Sequence, residues 1–320
     1  MRRSDVLRRK VQDLDLSQAR GLADLVAQME AGGGFTAKKI AEGVGILRTM
    51  FRRPSCLTFL SFPAALMATG VRGVLRGLVE RRLVDVAITT CGTADHDLAR
   101  VWKPYYHGDF AMDDVALHRL GVNRLGNVLV PNESYGLVLE KRIRPMLEDL
   151  WRSGKRALST KELLWELGRR TGSQESLLWW AWKNRVPVVV PAILDGAVGY
   201  QLWSFWQDHK DFRIDLFRDE AELSDLAFTA KEAGALMIGG GVSKHHTIWW
   251  NQFRGGLDYA VYITTAPEWD GSLSGARVRE GISWGKVKET ARQVTIEGDA
   301  SALLPLMVGA AMETKPRRRR

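Results

Sequence analysis

The chain has 320 residues, 45% hydrophobic and 26% charged, which is enough apolar content to bury a sizeable core and too much for a disordered chain. It contains no apolar run long enough to span a membrane. Its start, MRRSDVLRRKVQDLD, is basic without the apolar stretch of a signal peptide, so a cytoplasmic location is expected. Two cysteines, Cys56 and Cys91, are too few for a disulfide framework and lack metal-ligand spacing, so no metal site is expected. Lys and Arg number 46 against 37 Asp and Glu, a net charge of +9. Part of that excess sits in the end KPRRRR and part on helical faces such as Arg72, Arg76, Arg81 and Arg82, so it reads as solvated charge rather than a nucleic-acid site.

Residues 17–52 predict two helices split by Gly32, Gly33 and Gly34, the first with Leu22, Leu25, Val26 and Met29 at helical spacing behind Ser17 as a cap. Short apolar strands follow at 56–60, 84–90, 186–190, 213–217, 235–238, 259–264 and 293–296, with helical patterns between them. Runs such as VDVAI (84–88) and VPVVV (186–190) are nearly continuously apolar, as in a parallel sheet buried on both faces. The pattern predicts an α/β, doubly wound, mostly parallel sheet. No repeat or long linker divides the chain. The expected organisation is an N-terminal helical extension (1–53), one catalytic domain (54–314) and a basic tail (315–320).

Ligands of open parallel sheets bind outside the carboxyl ends of the strands, which directs attention to three strand ends. After 235–238 come Gly239, Gly240 and Gly241, then Val242, Ser243, Lys244, His245 and His246 opening a helix. Glycines admit a ligand to the backbone, and free helix-start amides favour phosphate; an ordinary turn has the same composition, and no G-x-G-x-x-G is present. Two adjacent histidines point in different directions, so at most one of them acts. After 259–264 comes the polar TTAPEWDGS, suited to hydrogen-bonding hydroxyls or amines, or simply a surface loop; it leads to Glu280, Trp284, Gly285 and Lys286. A lysine desolvated beside a tryptophan is a candidate imine-forming amine, although most lysines are surface charges. After 84–90 comes CGTADHD (91–97), whose spacing suits neither a Cys/His nucleophile nor a metal cluster and reads as a ligand loop.

Taken together these segments resemble the deoxyhypusine synthase family, archaeal type, from about residue 56 to 312. The resemblance is carried by IGGGVSKHHTIWWNQFRGGLDYAVYITTAPEWDGSLSGARVREGISWGKV (238–287), with LVDVAITTCGTADHDLAR, NRLGNVLVPNESYG, PAILDGAVG and GDASALLPLMV. It implies a Rossmann-like fold, NAD as cofactor, and a homotetramer with sites at dimer interfaces. By position in SWGK, Lys286 matches the imine-forming lysine and Trp284 the tryptophan of the polyamine channel. By position in GGGVSKHH, His245 matches the general base and Lys244 the lysine beside it. Glu280 matches an acidic polyamine contact, and Ser272 lies near the junction of the two ligands. Thr90, Cys91, Gly92, Asp95, Asp195, Gly239, Gly241, Thr265, Ala266, Asp270, Asp299 and Ala300 fall on positions expected at NAD.

The activity implied is transfer of the aminobutyl group of spermidine to a lysine of the precursor of translation initiation factor five-A, through an imine on the enzyme's lysine. The sequence departs from eukaryotic members at four places. Tyr200 and Leu273 stand where two carboxylates would contact the polyamine, His96 replaces an acid, and residues 61–65 lack an expected Ser-Asn. The runner-up is a homospermidine synthase-like enzyme with a small diamine as acceptor.

Overall fold

A computed structural model describes residues 2–313 of the protein. After a one-turn helix at Arg3–Val6 and a 3-10 turn at Leu16–Gln18 come two longer helices, α1 (Leu22–Gly32) and α2 (Phe35–Arg52), parted at the expected glycines. Gly33 and Gly34 take φ of 65° and 73°, a region that favours glycine and that turns the chain out of one helix into the next. Ser17 is not the cap of α1. The first free amides of that helix, on Leu22 and Ala23, donate to the Glu313 carboxylate at 3.0 and 2.7 Å, so the cap comes from the far end of the chain.

Six strands form one wholly parallel sheet: β1 (Cys56–Ser61), β2 (Val86–Ile88), β3 (Val188–Val189), β4 (Glu232–Ile238), β5 (Leu257–Thr264) and β6 (Val287–Glu297). Their spatial order is β6-β5-β4-β1-β2-β3, so the direction of winding reverses between β1 and β4. Helices α3 (Cys91–Trp102), α4 (Ala197–Asp208), α5 (Gly241–Gln252) and α6 (Ala300–Glu313) follow β2, β3, β4 and β6.

Both faces of the sheet are covered, and the side chains alternate between two cores. In β4, Leu236 and Ile238 enter the core that holds Ile40, Val44 and Leu47 of α2 and Leu304 and Met307 of α6. Ala233, Ala235 and Met237 enter the other, with Ile248 of α5 and Leu223 of helix Leu216–Thr229. That double burial explains why β4 and β1 read as nearly unbroken apolar runs.

One expected strand lies elsewhere. Arg213–Ile214 pairs with Ala157–Leu158 in a separate two-stranded ribbon, and a helix begins at Leu216 that leaves Phe217 exposed. Three short antiparallel strands, Tyr106–His107, Val122–Leu125 and Val128–Pro131, were not expected; runs of two to four residues are too short to show a period. Among the described residues no helix is long and apolar enough to cross a membrane. The basic tail lies outside the described residues.

Candidate active site

Where strand order reverses, the loops leaving two neighbouring strands part to opposite faces and leave a crevice between them. Here the loops are those after β1 and β4, and a Cβ added at Gly239 would lie 3.5 Å from Pro63 Cγ. Each glycine of the turn has its own reason. Gly239 and Gly241 take φ of 63° and 69°, and a Cβ on Gly240 would run into the backbone of Ser274. The turn therefore presents main chain, not side chains, at the start of α5, an arrangement suited to a phosphate.

The twelve residues matched to NAD all lie at or just beyond the carboxyl ends of β2 to β6. Asp195, Thr265, Asp270 and Asp299 are exposed there. Asp270 accepts from the Ser272 amide and hydroxyl at 2.7 and 2.8 Å, and Asp299 accepts from the Ser301 amide at 3.0 Å at the start of α6. Cys91 and Asp95 are instead fully buried. The Asp95 carboxylate accepts from the first amides of α4, on Ala197 and Val198, at 2.8 and 2.7 Å, and from the Tyr135 hydroxyl at 2.7 Å. Burial nevertheless holds that carboxyl above its ordinary range, and burial with the neighbouring Asp95 drives the Cys91 thiol far up. Cys91 is thus a packed residue, not a thiolate. Gly196 follows from the same crowding, since a Cβ there would stand 2.7 Å from Cys91 Sγ.

The polypeptide leaving β5 runs back across the sheet before β6 begins, and it encloses a cavity of about 180 Å³ against α5. Lys286, Trp284, Glu280, Leu273 and Lys244 line it, with Arg277 and an apolar floor of Met237, Ile248, Val278 and Val287. The Lys286 amine lies 5.2 Å from the Trp284 ring centroid. Glu280 is the one carboxylate among these lining residues, against three cationic side chains. Lys244 is 2% exposed, and its amine falls to about 7, chiefly through burial, with Arg277 adding to the drop and Glu280 opposing it.

The two histidines separate as adjacent helical residues must. His245 is exposed; partial burial, the nearby Lys286 charge and His246 lower its pKa from 6.5. His246 is buried, with Nε2 3.0 Å from Glu220 Oε1. Tyr200 lies apart from the Lys286 cavity, exposed on α4 with its ring 5.7 Å from that of Trp203. Sequence reasoning missed Arg277, whose guanidinium donates to the Ala266 carbonyl at 3.1 Å and reaches Glu268 and Glu297 at 3.4 and 3.6 Å. Nothing in the local pattern marks an arginine as a loop brace.

A family model described as deoxyhypusine synthase matches residues 24–311. The chain belongs to the deoxyhypusine synthase family. It is 53% identical over 308 residues to a protein of Picrophilus torridus, covering 96% of this chain and 98% of that one, and 52% identical to one of Thermoplasma acidophilum, covering 96% and 99%. Both carry the name probable deoxyhypusine synthase. A crystal structure from Entamoeba histolytica, titled a "putative deoxyhypusine synthase", shares the fold with a TM-score of 0.66 at 19% identity, covering 96% of this chain and 98% of its own.

Proposed function

We propose that the chain is a deoxyhypusine synthase that moves the aminobutyl group of spermidine to a lysine of the translation initiation factor five-A precursor. The observation that carries this reading is the convergence of Lys286, Trp284 and Glu280 on one cavity beside His245, at the edge of a sheet with a dinucleotide-type strand order. NAD would suit the crevice after β1 and β4, where the glycine turn offers amides to its phosphates, with Thr265 exposed after β5 and Asp195 and Asp299 exposed after the two edge strands. Bound there, it would supply a hydride acceptor and, once reduced, a hydride donor.

The chain's own residues do the rest. Glu280 holds an ammonium group of the polyamine, and the Trp284 face lines the path with cation–π attraction worth roughly 0.5–2 kcal/mol. His245, neutral at pH 7 because its pKa lies below 6.5, accepts the proton of the secondary amine as the adjacent carbon is oxidised. The Lys286 amine then adds to the resulting imine carbon and 1,3-diaminopropane departs, leaving the aminobutyl group as an imine on Lys286. The acceptor lysine displaces Lys286 in the same way before reduction. Covalent capture divides one difficult transfer into two exchanges, and the apolar floor keeps water from the imine. Tyr200 does not line this cavity, so the polyamine contact expected of it would have to come from another copy of the chain.

Borohydride trapping tests the assignment of Lys286. With NAD and spermidine the chain should form a reduced adduct that peptide mapping places at Lys286. Lys286→Arg, which keeps the charge but is no nucleophile at neutral pH, should fold and bind NAD without any adduct. An adduct at full yield in that variant would remove the mechanism.

A further inference from the structure

The Lys244 side chain is almost wholly buried between α5 and the segment that leaves β5, and its partners use up what an ammonium offers. Of three donor positions, one goes to the Leu273 carbonyl at 2.8 Å and one to the Ala276 carbonyl at 2.6 Å. The amine also stands 3.6 Å from the centroid of the Tyr262 ring. Two more groups from β5 seize the carbonyl between those two: the Tyr262 hydroxyl donates to the Ser274 carbonyl at 2.6 Å and Thr264 Oγ1 donates to it at 2.9 Å. From the other side Gly240 lets the same backbone press against the start of α5. Three carbonyls within four residues, 273, 274 and 276, are thereby tied to β5 and α5.

That short segment lies between the two halves of the proposed site. Before it come Thr265, Ala266, Asp270 and Ser272, matched to the cofactor and the ligand junction; after it come Glu280, Trp284 and Lys286. We propose that Lys244 is a positioning residue, a clamp with Tyr262 and Thr264 that fixes the imine-forming lysine relative to the cofactor rim, and not a contact to the polyamine. A substrate contact would require the amine to give up one of these partners, since two of its N–H groups are held by carbonyls and the Tyr262 ring takes the remaining side. The depressed basicity of the amine agrees with this enclosure, because two carbonyl bonds need only the two N–H groups that a neutral amine retains.

The clamp rests on the deoxyhypusine synthase reading only for its catalytic consequence; its structural part is testable without substrate. Hydrogen exchange followed by mass spectrometry would compare the full chain with Lys244→Met, which keeps an apolar stem, and with Tyr262→Phe, which keeps the ring. Both variants should exchange residues 265–286, including the Gly275 and Ala276 amides bonded to the Ser272 carbonyl, at least about tenfold faster than the parent chain. In transfer assays both should lose kcat by about tenfold to a hundredfold, the scale of a small misplacement of reacting groups. Unchanged exchange in both variants would overturn the clamp, as would a higher spermidine KM in Lys244→Met alone with Tyr262→Phe silent. If Lys244→Met does not fold, Tyr262→Phe decides alone. Absence of transfer by the parent chain would count against the proposed function and leave the exchange result to judge the clamp.

Discussion

At the scale of single residues the proposed chemistry depends on which groups are neutral and which are free. His245 meets both conditions for a base: its ring is exposed, and partial burial, the Lys286 charge and His246 all lower its pKa. A base must be deprotonated to act, so a pKa below 6.5 keeps it active through neutral pH. The acid limb of kcat/KM is therefore expected to have its midpoint below pH 6.5, and His245→Ala should slow NADH formation by about 10² to 10⁴. Absorbance at the reduced-nicotinamide band reads both, and normal NADH formation in that variant would place the base elsewhere. The pair HH by itself told only that at most one histidine acts, and the choice of His245 came from the resemblance. Which one follows from the rotation of α5, which turns His246 inward to Glu220, and rotation about a helix axis is set by packing that a short local motif does not encode.

At the scale of elements, Asp95 shows a carboxylate employed in assembly. It lies on α3 and satisfies the first turn of α4, so it joins the helices after β2 and β3 and carries with them the Asp195 turn and Tyr200. Asp95→Ala should leave two amides and the Tyr135 hydroxyl without an acceptor, costing about 2 kcal/mol and lowering Tm by several degrees. Thermal unfolding followed by circular dichroism measures this; an unchanged Tm would reduce Asp95 to a ligand contact alone.

The elements legible in the sequence were those with an unbroken pattern. β1, β4 and β5 are apolar on both faces, and their expected spans lie inside the observed ones. The glycine turn before α5 and the split between α1 and α2 were legible because glycine is needed at both. Elements set by distant partners were not. The α1 cap is Glu313, and β6 begins after Lys286 with the buried Val287 and continues with Lys288, Glu289 and Thr290, polar residues tolerated because this strand lies at the sheet edge. Arg213–Ile214 shares its β pattern with true sheet strands but meets only another two-residue strand.

At the scale of the whole molecule, the cavity of a single chain offers few anions to a polycation. One carboxylate, Glu280, faces Lys244, Arg277 and Lys286 in the cavity, a poor balance for a polycation in a protein of net charge +9. Tyr200 and Trp203 stand exposed on α4 away from it. Assembly of copies is the simplest way to bring further polyamine contacts to Lys286, and light scattering of the purified protein should give a homotetramer. A fully active monomer would contradict that arrangement.

The central claim concerns what leaves Lys286 and where it goes. Purified translation initiation factor five-A precursor, incubated with the chain, NAD and spermidine, should gain the mass of one aminobutyl group at a single lysine, with 1,3-diaminopropane released and no gain when Lys286→Arg replaces the parent. An unmodified factor, with the aminobutyl group recovered instead on an added small diamine, would contradict the account and assign the chain to the homospermidine synthase-like reaction.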